Sequence, residues 1–210
     1  MNHKKIFISS MIYVVIAILT GIILNDGLII FLGWNILLAT IPYLIALLYV
    51  KNYEKNSSIY VLIGILLLYV LFFPNTFYVL TDVIHFEESH FFERYPDLYH
   101  AILEEWILFF IIIYGVFQAT LLGVFSLKQI ESTFKKPIIQ ISLIITICFL
   151  SSIGIYIGRF LRLNSWQFFR LDLIFQGIFQ NFGFFIGFIT IFTILQVIIY
   201  GLITYIFNHH

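Results

Sequence analysis

Of 210 residues, 61% are hydrophobic, 20% aromatic and only 10% charged, and the formal net charge is zero. A soluble domain carries about 25% charged residues, so this set cannot furnish a water-facing surface and implies one membrane-embedded domain over residues 1–210. The balanced charge argues against nucleic acid as a partner, and the one cysteine, Cys148, sits in an apolar run where a packed thiol is expected.

Apolar stretches of about 20 residues predict transmembrane helices. They occur at about 6–24, 28–50, 59–73, 101–125, 138–157 and 182–207. The expected fold is therefore an all-α polytopic membrane bundle of about six transmembrane helices. Lys4 and Lys5 precede the first stretch, as in a signal peptide. Its apolar core is long and no small-residue cleavage site ends it, so it is expected to be retained. The third stretch is short and runs into Pro74, where the chain is expected to break or bend.

Directly after Pro74 come Asn75, Tyr78, Thr81, Asp82 and His85. Wound as an α-helix, at about 100° per residue, these five side chains fall within roughly 120° of one another. Ionisable groups at the edge of hydrocarbon are costly to place and mark functional positions. Asp82 and His85 are thus the candidate catalytic pair, with Asn75 and Tyr78 as candidate substrate-binding groups on the same face. Glu87, Glu88 and Glu93 read as a solvated acidic loop.

Asp97, His100 and Glu104 repeat the pattern at helical spacing just after Pro96. Oxygen and imidazole ligands at such spacing suit zinc or manganese. No HExxH or paired CxxC accompanies them, so neither a metal nor a cofactor is assigned.

Beyond the fifth span the chain reads Gly158-Arg159-Phe160-Leu161-Arg162-Leu163-Asn164-Ser165-Trp166. Arg159, Arg162, Asn164 and Trp166 are candidate substrate-binding residues. Two readings stand side by side for the arginines. They are interfacial anchors in an aromatic belt, or they form an anion clamp or a salt bridge to Asp82. Asn164 and Gln167 fit a capping box, and Asp172, Gln176 and Gln180 form an i, i+4, i+8 stripe. A short interfacial or re-entrant helix over 165–180 is expected, with a break near Asn181–Gly183 before the sixth span.

The two segments PNTFYVLTDVIHF and GIYIGRFLRLNSW resemble the motifs of a bacterial integral-membrane family known only as domain of unknown function 1361. The matching positions are Pro74, Asn75, Tyr78, Thr81, Asp82 and His85, then Gly158, Arg159, Phe160, Arg162, Asn164, Ser165 and Trp166. The resemblance implies a multi-pass bacterial membrane protein and carries no catalytic roles. Few alanines and many Ile, Phe, Lys and Asn residues point to an AT-rich host.

All seven lysines lie at the N-terminus or after spans two and four: Lys4, Lys5, Lys51, Lys55, Lys128, Lys135 and Lys136. The arginines Arg94, Arg159, Arg162 and Arg170 lie on the opposite side. The positive-inside rule then puts the lysine side and both termini in the cytoplasm of a cell-membrane protein. His209 and His210 are expected to have no functional part.

Membrane lipids are the expected surroundings, and an anionic headgroup or lipid-linked molecule is the expected partner. Three functional readings follow. In the first, an enzyme works at the outer leaflet on a lipid-linked or phosphate-bearing substrate. His85 would serve as base or nucleophile, and Asp82 would orient it or act as acid. In the second, a small transporter or proton-coupled carrier uses Asp82 and His85 as ion-binding groups. In the third, the polar cluster of a non-catalytic membrane partner locks its loops together.

Overall fold

The computed structural model describes residues 3–88, 102–163 and 169–208. Among them, six apolar stretches are helical and long enough to cross a membrane. The first is α1 (His3–Leu24), followed by α2 (Gly27–Glu54). Asn25 takes a left-handed φ of 51° at the turn between them. The Asp26 carboxylate then caps α2, accepting from the N–H of Leu28 at 2.8 Å and of Ile29 at 3.4 Å.

α3 (Ile59–Phe72) is followed by a single turn, α4 (Pro74–Tyr78), and a 3₁₀ segment over Val79–Glu88. A break or bend was expected at Pro74; α3 does end at Phe72, but the backbone stays helical through the proline. Phe73 keeps α-helical angles (φ −56°, ψ −36°) and donates to the Tyr69 carbonyl at 2.8 Å. Tyr69, Phe73 and Phe77 stack at centroid spacings of 5.2 and 5.8 Å across the proline. Proline removes one N–H from the ladder, and the side-chain packing carries the helix past it.

The remaining elements are α5 (Leu103–Glu131), α6 (Pro137–Phe160), α7 (Leu171–Gln180) and α8 (Phe182–Asn208). α7 begins later than expected. Phe169 is in a turn and Arg170 has ψ 59°, so the helix starts at Leu171. The expected capping box at Asn164 and Gln167 lies outside the described residues. Asp172, Gln176 and Gln180 are exposed along α7 as the stripe predicts. Asn181 (φ −139°, ψ 47°) makes the expected break before α8.

Two helices form the centre. In α2 and α5, 56% and 50% of the apolar window is buried, against 28% or less in the other four crossings. Those outer helices present large apolar side chains such as Ile23, Tyr60 and Ile191 at their surface, as lipid-facing helices do. Polar side chains join helices inside the apolar bundle. Gln118 of α5 donates to Ser10 of α1 at 2.7 Å, and Gln196 of α8 donates to Ser152 of α6 at 2.8 Å. At the lysine end the buried Glu131 accepts from Tyr200 at 2.6 Å and pairs with Lys128 at 2.8 Å.

Glycines seat α4. A Cβ on Gly123 of α5 would lie 2.7 Å from the Thr76 hydroxyl. One on Gly154 of α6 would lie 2.6 Å from Pro74 Cγ, and one on Gly158 would lie 3.2 Å from the Tyr78 ring. Only hydrogen at these positions lets the Pro74–Tyr78 turn sink between α5 and α6.

Candidate functional site

The switch from α to 3₁₀ winding decides which side chains share a face. A 3₁₀ helix has three residues per turn, so positions three apart eclipse, and runs beyond three or four residues are uncommon. The single α-helical face expected for Asn75, Tyr78, Thr81, Asp82 and His85 is therefore replaced by separate rows. Tyr78, Thr81, Ile84 and Glu87 form one row and line a cavity. Val79, Asp82 and His85 fall in another row; Val79 and Asp82 are buried against the bundle, at 2% and 0% exposure, while His85 at the far end of that row reaches the cavity lining.

Asp82 is held on both oxygens. Asn35 of α2 donates to Oδ2 at 2.8 Å, and Arg159 of α6 donates through Nη2 to Oδ1 at 2.5 Å. Arg159 also donates through Nε to the Thr81 hydroxyl at 2.8 Å, and that hydroxyl in turn donates to the Tyr78 carbonyl at 2.6 Å. The guanidinium carbon lies 4.5 Å from the Tyr78 ring centroid, a cation–π distance. Arg159 is only 15% exposed, so both charges of the pair are largely withdrawn from solvent. Its place in the last turn of α6 also suits a cation.

The two sequence motifs thus meet at Asp82 and Arg159. Asn35 completes the contact, and sequence reasoning missed it. The available signal was a lone carboxamide inside an otherwise apolar span. Tyr78 contributes its ring face to Arg159.

His85 lies on the cavity wall, edge-on to Phe31 at 6.5 Å between centroids. Its Nε2 is shielded from solvent and makes no hydrogen bond among the described residues. No hydrogen bond joins it to Asp82 there. Asn75, Arg159 and Arg162 also line the cavity, Arg162 with a left-handed φ of 54°. Asn164 and Trp166 lie outside the described residues, as do Glu93, Arg94, Asp97, His100, His209 and His210; of Glu88 only the backbone is described. Among the described residues no group of three His, Cys, Asp or Glu side chains is placed to hold a metal.

The cavity measures about 1160 Å³. Phe31, Trp34, Leu38, Leu71 and Phe72 give it an apolar wall, while Asn75, Thr81, His85, Glu87 and the two arginines give it a polar rim. Leu38 lies roughly 16 Å along α2 from its first residue, at 1.5 Å per residue. That is about half of a 30 Å hydrocarbon core. The lining thus runs from Arg162 and Glu87 at the arginine end to Leu38, a distance along α2 of about half such a core.

Six apolar crossings with a polar site at one end define a multi-pass membrane protein. The chain belongs to the family described as protein of unknown function (DUF1361), whose pattern matches residues 34–199. The match takes in Asn35, the Pro74–Glu88 segment and Arg159 together. No curated protein and no solved structure matches the chain.

Proposed function

We propose that this protein is a membrane enzyme that works at the outer leaflet on a lipid-linked or phosphate-bearing substrate. The observation that carries this reading is the cavity, apolar at mid-depth and polar at its mouth, which matches an amphiphile with its chain inward and its headgroup at the rim. The lysine end faces the cytoplasm by the positive-inside rule, so both termini are cytoplasmic and the cavity opens outside the cell membrane.

In this scheme His85 transfers the proton, because its side chain lines the cavity and its Nε2 makes no hydrogen bond among the described residues. Asp82 is a positioning residue, since both its oxygens are engaged and it has no exposure. Arg159 and Arg162 bind the headgroup, and Asn75 and Tyr78 form the polar wall beside it. The half-depth cavity favours this over a carrier, which needs access from both sides of a site near mid-membrane.

The test is lipid and envelope analysis of a deletion strain complemented with wild type or with His85→Ala. One lipid-linked species should accumulate in the deletion strain and with His85→Ala, and return to normal with wild type. Identical profiles in all three strains would overturn the enzyme reading.

A further inference from the structure

Four chargeable side chains reach the cavity wall: Arg159, Arg162, His85 and Glu87. Asp82 stands behind that wall, fully buried, and pairs with Arg159. A guanidinium carries five N–H donors in a planar fork. On Arg159 the edge formed by Nε and Nη2 is engaged by Thr81 and Asp82. Its Nη1 donors have no partner among the described residues. Held on the Tyr78 ring and by two hydrogen bonds, this guanidinium is fixed before any ligand arrives. Preorganised donors of this kind bind oxyanions without a reorganisation cost.

Arg162 supplies the second cation, three residues on and beyond the end of α6. It is exposed, makes no hydrogen bond among the described residues, and holds a φ of 54° that favours glycine. It follows the C-cap Leu161, a position where a left-handed residue ends a helix and turns the chain away from its axis.

We propose that Arg159 and Arg162 together form a phosphate-binding rim, and that its ligand is a singly charged phosphodiester attached to a hydrocarbon chain lying against Phe31, Trp34 and Leu38. This rests on the reading of the cavity as an amphiphile site. Phosphate oxygens point in tetrahedral directions, which suits two guanidiniums approaching from a helix end and from the loop after it. The single charge follows from the local balance. Asp82 and Glu87 equal the two arginines in number, so the rim has no net positive charge and every further ligand charge goes uncompensated; a singly charged ester is therefore penalised less than a dianion. A phosphodiester also continues past the phosphate on its far side, where the cavity is open to the exposed Arg162 and Glu87.

The experiment measures binding to the purified full chain in a non-ionic maltoside detergent, so it does not depend on turnover. The probes are lysophosphatidylglycerol, a monoacylglycerol of the same chain length, lysophosphatidic acid as the dianion, and inorganic phosphate. Lysophosphatidylglycerol should bind about tenfold or more tighter than monoacylglycerol, the margin expected of a charge-assisted hydrogen bond. Arg162→Gly should remove that margin while leaving thermal stability unchanged, because glycine accepts the left-handed backbone. Arg162→Lys should keep part of it.

Tighter binding of lysophosphatidic acid would overturn the single-charge assignment. Inorganic phosphate binding as tightly as the lipid would show that the chain contributes nothing, and would overturn the proposal. Equal binding of lysophosphatidylglycerol and monoacylglycerol, unaffected by Arg162→Gly, would overturn the phosphate rim and leave the amphiphile cavity standing. Failure of every amphiphile to bind would overturn both.

Discussion

A carboxylate with no solvent exposure can stay ionised in an apolar bundle only if its charge and its lone pairs are met. Asp82 meets that condition through Arg159 and Asn35, and each partner should be separately measurable. Removing one member of a buried pair typically costs about 3–5 kcal/mol. Asp82→Ala and Arg159→Ala should each lower the unfolding free energy in detergent by that order, with a lower thermal midpoint. The double variant should lose less than the sum, because one loss already releases the other charge. Strictly additive losses in that cycle would show that the two charges do not support each other. Asn35→Leu should cost about 1–3 kcal/mol, the penalty for a buried acceptor that loses its donor.

The Asp82–Arg159 contact was legible in the sequence for a physical reason. Opposite charges at the edge of two apolar spans each need compensation, and little else nearby can provide it. The part of Asn35 was not legible. A single amide in an apolar run states a need for a partner without saying which helix supplies it. The role of Thr81 was hidden differently, since its hydroxyl links Arg159 to the Tyr78 carbonyl and the sequence does not say that α6 would bring Arg159 there.

Among the elements, the α4 turn and the 3₁₀ segment carry the site, and glycines on their neighbours fix where they sit. Gly123→Ala and Gly154→Ala should each destabilise the protein in thermal unfolding, although alanine ordinarily favours a helix by about 1 kcal/mol over glycine. The reversal arises because the added methyl would meet Thr76 in one case and Pro74 in the other. A gain in midpoint for both variants would mean that the turn is not seated there. Helix existence was readable from apolar length alone, and even the break at Asn181 showed in the sequence. The winding after Pro74 was not readable. Local propensity does not separate α from 3₁₀ there, and packing between α5 and α6 makes the choice.

For the whole molecule, the separation of lysines from arginines is the feature with the widest reach. The variants Lys135→Cys and Gln176→Cys each add a thiol at an exposed position, on opposite ends. In intact cells an impermeant maleimide should label Gln176→Cys and spare Lys135→Cys, and buried Cys148 should stay silent. The reverse pattern would invert the orientation and turn the cavity toward the cytoplasm. The expected orientation rests on lysine placement, which is a one-dimensional property of the chain. The cavity was not legible, because it is a gap between α2, α3, α4, the 3₁₀ segment, α6 and α7 that no single segment encodes.

The 3₁₀ winding of Val79–Glu88 also has a consequence for length. Ten residues in this form rise about 20 Å, where an α-helix would rise about 15 Å. The third crossing thereby gains about 5 Å of reach from its conformation, with no added residue. That extra rise is comparable to the few ångströms by which bilayers differ in thickness. The vertical position of His85 and Glu87 is thus set by how tightly ten residues are wound, while Arg159 on its straight α-helix keeps its own height. The polar rim is a junction between two rulers of different pitch, and it is complete only where their marks coincide.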